Sequence, residues 1–371
     1  MLLNYHIPPQ QKPDAAKYVA KKRFFIDGQE LETTPIFSEY WRFAAERQRI
    51  FFKRVRGANS PTLTDDKILS EYKFTNSYRA SDRVSQYLIK NVIYRNDLPD
   101  DIENVFYRIM LFKIFNKIET WEALQDAFGP ITWSNFNFDE IDEFLSARHH
   151  VGIRNYSAAY IMPSAGNVFG HKRKHSNHLK LIMWMLKEEF PQKLSDFSNM
   201  KDGFDLFLSS PSIGPFLAYQ FITDVNYSEI TNFSEMEFVK AGPGALDGIS
   251  KCFLGADKIS PEKIISEMAK RQNDYFSVLE IDFPSLWGRE LQLIDCQNLF
   301  CEISKYSRVS HPEISGKAGR TRIKQKFNPI GRPPAPWYPP SWGLNDSIDL
   351  SYVTPKSIAS KNTKKEQLAL L

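Results

Sequence analysis

Three cysteines in 371 residues, Cys252, Cys296 and Cys301, are too few and too unevenly spaced for a disulfide framework. Long apolar runs are missing as well. A membrane span needs about 18 uninterrupted apolar residues, whereas the greasiest stretch, 179–186, is broken by Lys180 and runs into Lys187-Glu188-Glu189, so no membrane association is expected. The opening MLLNYHIPPQQKP holds no apolar segment of signal-peptide length, and a reducing, cytoplasmic setting is the expectation. No Gly-x-x-x-x-Gly-Lys-Ser/Thr phosphate loop occurs, which argues against ATP-dependent phosphorylation by that route. A large excess of one charge is also absent: 48 Lys and Arg against 44 Asp and Glu leave a formal +4, by itself a weak pointer to nucleic acid.

What is present is enough apolar (42%) and aromatic (14%) content for one large core or two ordinary lobes. Residues 36–56 place Tyr40/Trp41, Ala44/Ala45 and Phe51/Phe52 at helical intervals with six Lys/Arg between them, predicting an amphipathic helix with a basic polar face. Thr64-Asp65-Asp66 supplies cap chemistry for a helix through Tyr72, and a single helix is predicted over 80–94. Further helices follow to about residue 306, the last predicted from Leu286, and period-two strands are scarce. The expected fold class is mainly α, with an N-terminal arm (1–34), a helical unit (35–310) and a C-terminal tail (311–371). That tail is basic over 316–332, with no acid, then rich in proline and aromatics, and reads as an arm lying along DNA or along its own domain.

The most informative stretch is 204–224, within a hairpin at 203–226. A short apolar helix, the turn Ser210-Pro211-Ser212-Ile213-Gly214, and a second helix opened by Pro215 meet the needs of a helix-hairpin-helix. Gly214 is expected to permit a turn and a backbone approach closed to larger side chains, so that the amides and dipole of the second helix face a DNA phosphate. The alternative is an ordinary turn between two core helices. In the glycosylases that share this motif a catalytic acid follows about twenty residues beyond the hairpin glycine. Glu237, then Glu235, then Asp224 are therefore candidates to stabilise oxocarbenium charge during cleavage of an N-glycosidic bond; a solvated surface carboxylate is the alternative for each. Phe216 stands where bifunctional glycosylases carry a Schiff-base lysine, so β-lyase chemistry is not expected.

Ordered blocks over about 35–308 carry a wider resemblance: Glu46-Arg47-Gln48-Arg49-Ile50, Thr64-Asp65-Asp66-Lys67-Ile68-Leu69, Phe74-Thr75-Asn76-Ser77-Tyr78-Arg79-Ala80-Ser81-Asp82-Arg83-Val84, Gly214-Pro215-Phe216-Leu217-Ala218-Tyr219-Gln220, Ala241-Gly242-Pro243-Gly244-Ala245 and Cys301-Glu302-Ile303-Ser304-Lys305-Tyr306. The chain resembles the family of the α-glutamyl/putrescinyl-thymine pyrophosphorylases and the helical domain of 5-hydroxymethyluracil DNA kinase. That resemblance implies a relative of helix-hairpin-helix DNA glycosylases tied to thymine hypermodification in phage DNA, or a bacterial counterpart excising modified bases from invading DNA.

Two enzymatic expectations and one non-enzymatic one follow. The first is a glycosylase that flips a modified pyrimidine from double-stranded DNA and excises it, in anti-phage defence; the second is a transferase in thymine or hydroxymethyluracil hypermodification; the third is a DNA-binding scaffold. Expected DNA contacts are Ser212, Ile213, Gly214, Phe216, Lys240, Gly242, Gly244 and Arg173, the last in a basic loop at 171–175. The expected base pocket comprises Tyr219 and Gln220 with Asn76, Arg79 and Arg83, which on a helix would share a face; an Arg–Asp structural network is the alternative for the arginines. No metal, cofactor or obligate protein partner is expected.

Overall fold

Proline at a first helical turn and a hydroxyl just before it start the first helix where the sequence places it. In the computed structural model, which describes residues 23–26, 28–57, 63–158, 162–328 and 331–351, α1 (Pro35–Val55) is capped by the Thr34 hydroxyl, which accepts from the Ile36 amide at 3.2 Å. Tyr40, Trp41, Ala44 and Phe51 turn into the core. The cations of α1 are less solvated than the periodicity suggests. Arg47 is buried, donating through Nε to Thr75 O at 2.9 Å and through Nη2 to Asn76 Oδ1 at 2.8 Å, and burial pulls its pKa down to about 10. Lys53 Nζ donates to Leu63 O at 2.8 Å.

Asp66 caps α2 (Lys67–Glu71) through the amides of Ile68 and Leu69. The single helix predicted over 80–94 is instead a 3-10 turn (Arg79–Ser81), α3 (Arg83–Tyr87) and a π-helical stretch (Leu88–Ile93). The break has a cause. Asp82 is extended (φ −69°, ψ 146°) because its carboxylate accepts from the Asn76 amide at 2.7 Å, while the Arg79 amide donates to Asp295 of a distant helix, also at 2.7 Å. Asn76, Arg79 and Arg83 therefore do not share a helical face.

Two helical groups follow. The first surrounds α4 (Ile102–Phe115), buried on every side from Val105 to Phe115. It includes α5 (Ile118–Phe128), α6 (Phe138–His150), the short α7 (Gly166–Phe169), α8 (Lys174–Lys187), α9 (Phe190–Asp196), α10 (Met200–Leu208) and α11 (Pro215–Val225). The second joins α1 to α12 (Pro243–Cys252), α13 (Pro261–Lys270), α14 (Gln272–Val278) and α15 (Leu293–Ser310). Helices α12 and α15 pack so closely that a Cβ on Gly248 would lie 2.0 Å from the carbonyl oxygen of Phe300. The predicted start of the last helix at Leu286 is seven residues early. Leu286 bridges to Arg289 instead, and reciprocal capping between Gln292 and Asp295 begins α15.

Residues 23–33, expected in an arm, form β1 (Arg23–Ile26) and β2 (Gln29–Thr33), which pair antiparallel and extend to β3 (Phe253–Leu254), with Glu32 opposite Leu254. The C-terminal tail lies along its own domain through residue 351: Lys73 N donates to Gln325 O, Phe327 N to Glu71 O, and Arg332 to Val55 O. The rest of the expected arm (1–22) and of the tail (352–371) lies outside the described residues. Among the described residues no helix is long and apolar enough to cross a membrane.

Candidate nucleic-acid interface and a buried charge cluster

The hairpin is α10, a turn, and α11. The left-handed residue of that turn is Ser212 (φ 62°), not Gly214, which is extended (φ −90°, ψ 172°) and has open space where a Cβ would stand. This corrects the expected role of Gly214: the turn does not need a glycine there, and the vacancy matters only for what approaches from outside. Ile213 is a buried anchor rather than a contact surface, whereas Ser212 and Gly214 are exposed. Neither α11 nor α12 has a side-chain cap; each begins with glycine at the N-cap and proline at the first position. The two starts are neighbours, since a Cβ on Gly242 would come 2.8 Å from the Phe216 ring. Gly242 is therefore buried beneath Phe216 rather than offered as a contact, and Gly214 and Phe216 are the expected residues exposed at a place where two helix starts without side-chain caps adjoin. Phe216 and Leu246 keep apolar surface exposed beside it. Gly244 faces inward, against Cys301 Sγ, and Lys240 is held by Glu262 at 2.9 Å. Arg173 is exposed at the start of α8, away from the hairpin.

Behind α11 lies a charge cluster. Asp224, 1% exposed, has one carboxylate oxygen 2.6 Å from Arg79 Nη1 and the other 2.5 Å from Lys113 Nζ; these are close ion pairs rather than well-aligned hydrogen bonds. Arg79 also donates to the Tyr227 hydroxyl (2.9 Å) and to Gln220 Oε1 (3.3 and 3.1 Å). Burial alone would raise the Asp224 pKa, but the two cations hold it below the ordinary aspartate value. Glu235, also buried, meets Arg289 at 2.8 Å. Its burial pushes its pKa up to about 7 against the pull of Arg289, and burial likewise takes Asp295 to about 6.

The lid of this cluster is the proline-rich tail. Trp342 lies over the Arg289 guanidinium at 3.7 Å, stacks on Tyr338 and meets the edge of Tyr227. Tyr338 is fully buried with its hydroxyl 2.8 Å from Ser81 Oγ, and the Trp337 amide donates to Gln86. The aromatics of 337–342 were visible in the sequence, but their destination was not. Lys113, Tyr227 and Arg289 carried no sequence signal of a shared site, because the fold joins them from α4, the end of α11 and the loop before α15.

A family model described as "5-hmdU DNA kinase, helical domain" matches residues 34–316. The chain belongs to that family. Among curated proteins it is similar to a "5-hmdU DNA kinase" of Bacillus phage SP10, 25% identical over 293 residues that cover 73% of this chain and 45% of the relative. The chain thus spans less than half the length of that protein. No solved structure matches, so kinship with the helix-hairpin-helix glycosylases has no support from structural comparison.

The 5-hmdU DNA kinase family overturns the glycosylase expectation, since both matches carry the name of a phosphotransferase and neither that of a base-excising hydrolase. Side-chain placement sets the three candidate acids in different surroundings. Glu237, the first-ranked acid, is exposed in the loop between α11 and α12. Asp224 is neutralised by two cations, and Glu235 is committed to Arg289. The expected base pocket is filled rather than open: Arg79 and Gln220 bond each other in the cluster, and Tyr219 is buried with its hydroxyl 3.5 Å from Phe238 O. Asn76 bonds Arg47 and Ser81, and Arg83 is exposed, 3.7 Å from Glu119. The Arg–Asp network weighed as the alternative is what Arg79 forms.

Proposed function

We propose that this chain is the DNA-engaging helical part of a transferase that acts on 5-hydroxymethyl-deoxyuridine in DNA. The observation that carries the reading is the pairing of two uncapped helix starts, α11 and α12, through Phe216 on Gly242, in a chain of the 5-hmdU DNA kinase helical-domain family. Two adjacent dipoles and their first-turn amides suit a phosphodiester, and they position a backbone without reading its sequence. A carboxylate set for glycosidic cleavage is not needed in this role. The absence of a Gly-x-x-x-x-Gly-Lys-Ser/Thr loop in the 371 residues is consistent with a part that holds DNA while the phosphoryl donor is bound by other means.

The test is binding of the full chain to matched duplexes containing thymine or 5-hydroxymethyluracil, with labelled ATP added in a second arm. Tighter binding to the hydroxymethylated duplex supports the reading, and label transferred to that duplex alone assigns the phosphoryl transfer to this chain too. Failure to bind either duplex refutes it, and abasic sites formed without ATP would restore hydrolysis.

A further inference from the structure

Residues 144–187 contain no Asp or Glu. At the chain's own frequency, 44 in 371, a stretch of that length would hold about five. It carries Arg148, Arg154, Lys172, Arg173 and Lys174, and the fold brings the segments that carry them together. His175 Nε2 lies 2.9 Å from Ser146 Oγ, tying the start of α8 to the end of α6. Arg148 Nε donates to Asn155 Oδ1 at 3.2 Å, and Lys174 Nζ sits 4.5 Å from the Tyr156 ring, so the loop after α6 is folded against both helices. Arg154, Lys172 and Arg173 are exposed, and among the described residues none of the three pairs with a carboxylate. Asp142 is the acid that reaches the start of α8, and it is engaged by His175 at 3.4 Å and by the Ser176 hydroxyl. Val151 (70% exposed), Ile153 (42%) and Val168 (53%) stand among these cations.

We infer that this α6–α8 face is a second docking surface, separate from the hairpin, for the phosphodiester backbone of duplex DNA. The inference rests on the reading of the chain as DNA-engaging and adds where the electrostatic grip lies. Charge complementarity selects the occupant: exposed cations that pair with no carboxylate fit a polyanion, the exposed acids of α6 (Asp139, Glu140 and Glu143) lying earlier on that helix, and exposed aliphatic side chains near the cations suit the sugar faces that alternate with phosphates. Separation follows from helix length. The fourteen residues of α8 rise about 21 Å, and its far end is the one that meets α9 and α10, through Trp184 on Phe190 (5.5 Å) and Phe190 on Phe207 (5.7 Å). The hairpin fixes one phosphate by backbone amides; this face adds salt-dependent attraction to a chain of net charge +4.

The experiment is the variant Arg154→Ala/Lys172→Ala/Arg173→Ala in the full chain, all three side chains being exposed, with the double reversal Lys172→Glu/Arg173→Glu beside it. Affinity for a 20-base-pair duplex, with and without 5-hydroxymethyluracil, is measured across salt concentrations. Each lost phosphate contact shallows the slope of log K against log salt by about 0.9. The triple variant should therefore lose about 3 from that slope and at least tenfold in affinity at low salt, equally on both duplexes, with the reversal weaker still. Wild-type slope and affinity in both variants, while the wild type binds DNA, overturns this surface and leaves the hairpin reading standing. Loss of single-stranded RNA binding with duplex binding intact overturns the choice of occupant. A wild type that binds no duplex at all overturns the DNA-engaging reading and this inference with it.

Discussion

Asp224→Asn deletes one negative charge from a position 1% exposed, between Arg79 Nη1 at 2.6 Å and Lys113 Nζ at 2.5 Å. Both cations are themselves buried, with side chains 4% and 5% exposed, so water cannot replace the lost carboxylate. Removing one partner of a buried ion pair costs about 3–5 kcal/mol, against about 0–1 kcal/mol for an exposed pair. The upper part of that range applies because two cations are orphaned. Adding Lys113→Met removes one of them, and the remaining Arg79 keeps Gln220 and Tyr227 as acceptors; the double variant should recover about 2 kcal/mol of the loss. Urea denaturation followed by circular dichroism measures both. The pH dependence has a definite sign. Because the cations hold the Asp224 pKa down, its stabilisation is present above the ordinary aspartate value and is lost as pH falls through the lower folded value. A wild-type urea midpoint in Asp224→Asn with function abolished would refute the structural account and return Asp224 to chemistry.

Gly248→Ala should destabilise by about 3 kcal/mol or more, because its methyl meets the Phe300 backbone at 2.0 Å and a helix-propensity gain of about 1 kcal/mol cannot offset a backbone clash; an unchanged melting temperature would count against the α12–α15 packing. Glu235 has a folded pKa of about 7, above its unfolded value, so its contribution is complete below about pH 4 and is lost as pH rises through about 7, a decline on the order of 1–3 kcal/mol. Urea midpoints at pH 5 and 8 should show that decline in wild type and less of it in Glu235→Gln, and equal declines would remove Glu235 as the cause. Trp342→Ala strips the half-buried indole from Arg289 and should cost about 2 kcal/mol while speeding proteolytic cleavage within 331–344, and a digestion pattern like wild type would show that the tail is held by other contacts.

Local signals were legible where the chain itself satisfies them. The cap at Asp66 and the proline that opens α11 are short-range chemistry, and they start helices as the sequence indicates. The 80–94 segment looks like one helix in the sequence because its deciding contacts are remote or side-chain to backbone: Asp295 takes the Arg79 amide across 216 residues. The Ser212 turn was missed for a subtler reason. A serine in the left-handed region gives no composition signal, and the neighbouring glycine drew the assignment. Ranking Glu237 above Asp224 used spacing along the chain, which cannot report that one carboxylate is exposed and the other shut between two cations. The cluster as a whole was illegible, since its members come from α4, α11 and the segments beside α3 and α15, and nothing in the period of any one helix marks an inward arginine.

Two basic tracts run through the chain, and the fold treats them differently. The tract at 317–326, prominent in the sequence for its lack of acids, is tied to acidic neighbours near its two ends, where Lys326 pairs with Glu71 and the Ala318 amide donates to Asp247, while Arg320, Arg322 and Lys324 between them are exposed. It passes beside α2, before whose start lies a groove lined by Glu39, Glu46, Asp65, Asp66, Glu280 and Asp282 together with Arg42 and Arg49. Over a screening length of about 8 Å at physiological salt, the groove's excess of carboxylates would repel duplex DNA laid across it. Among the cations at 148–174, the acid that reaches the start of α8, Asp142, is held by His175 and Ser176. Electrostatic attraction is set by uncompensated charge rather than by the length of a basic run, so the exposed cations at 154, 172 and 173 contribute a field of their own, whereas Lys326, paired with Glu71, contributes little. A salt slope that is shallowed by changes at 154, 172 and 173 and untouched by Lys326→Ala is the outcome this difference requires.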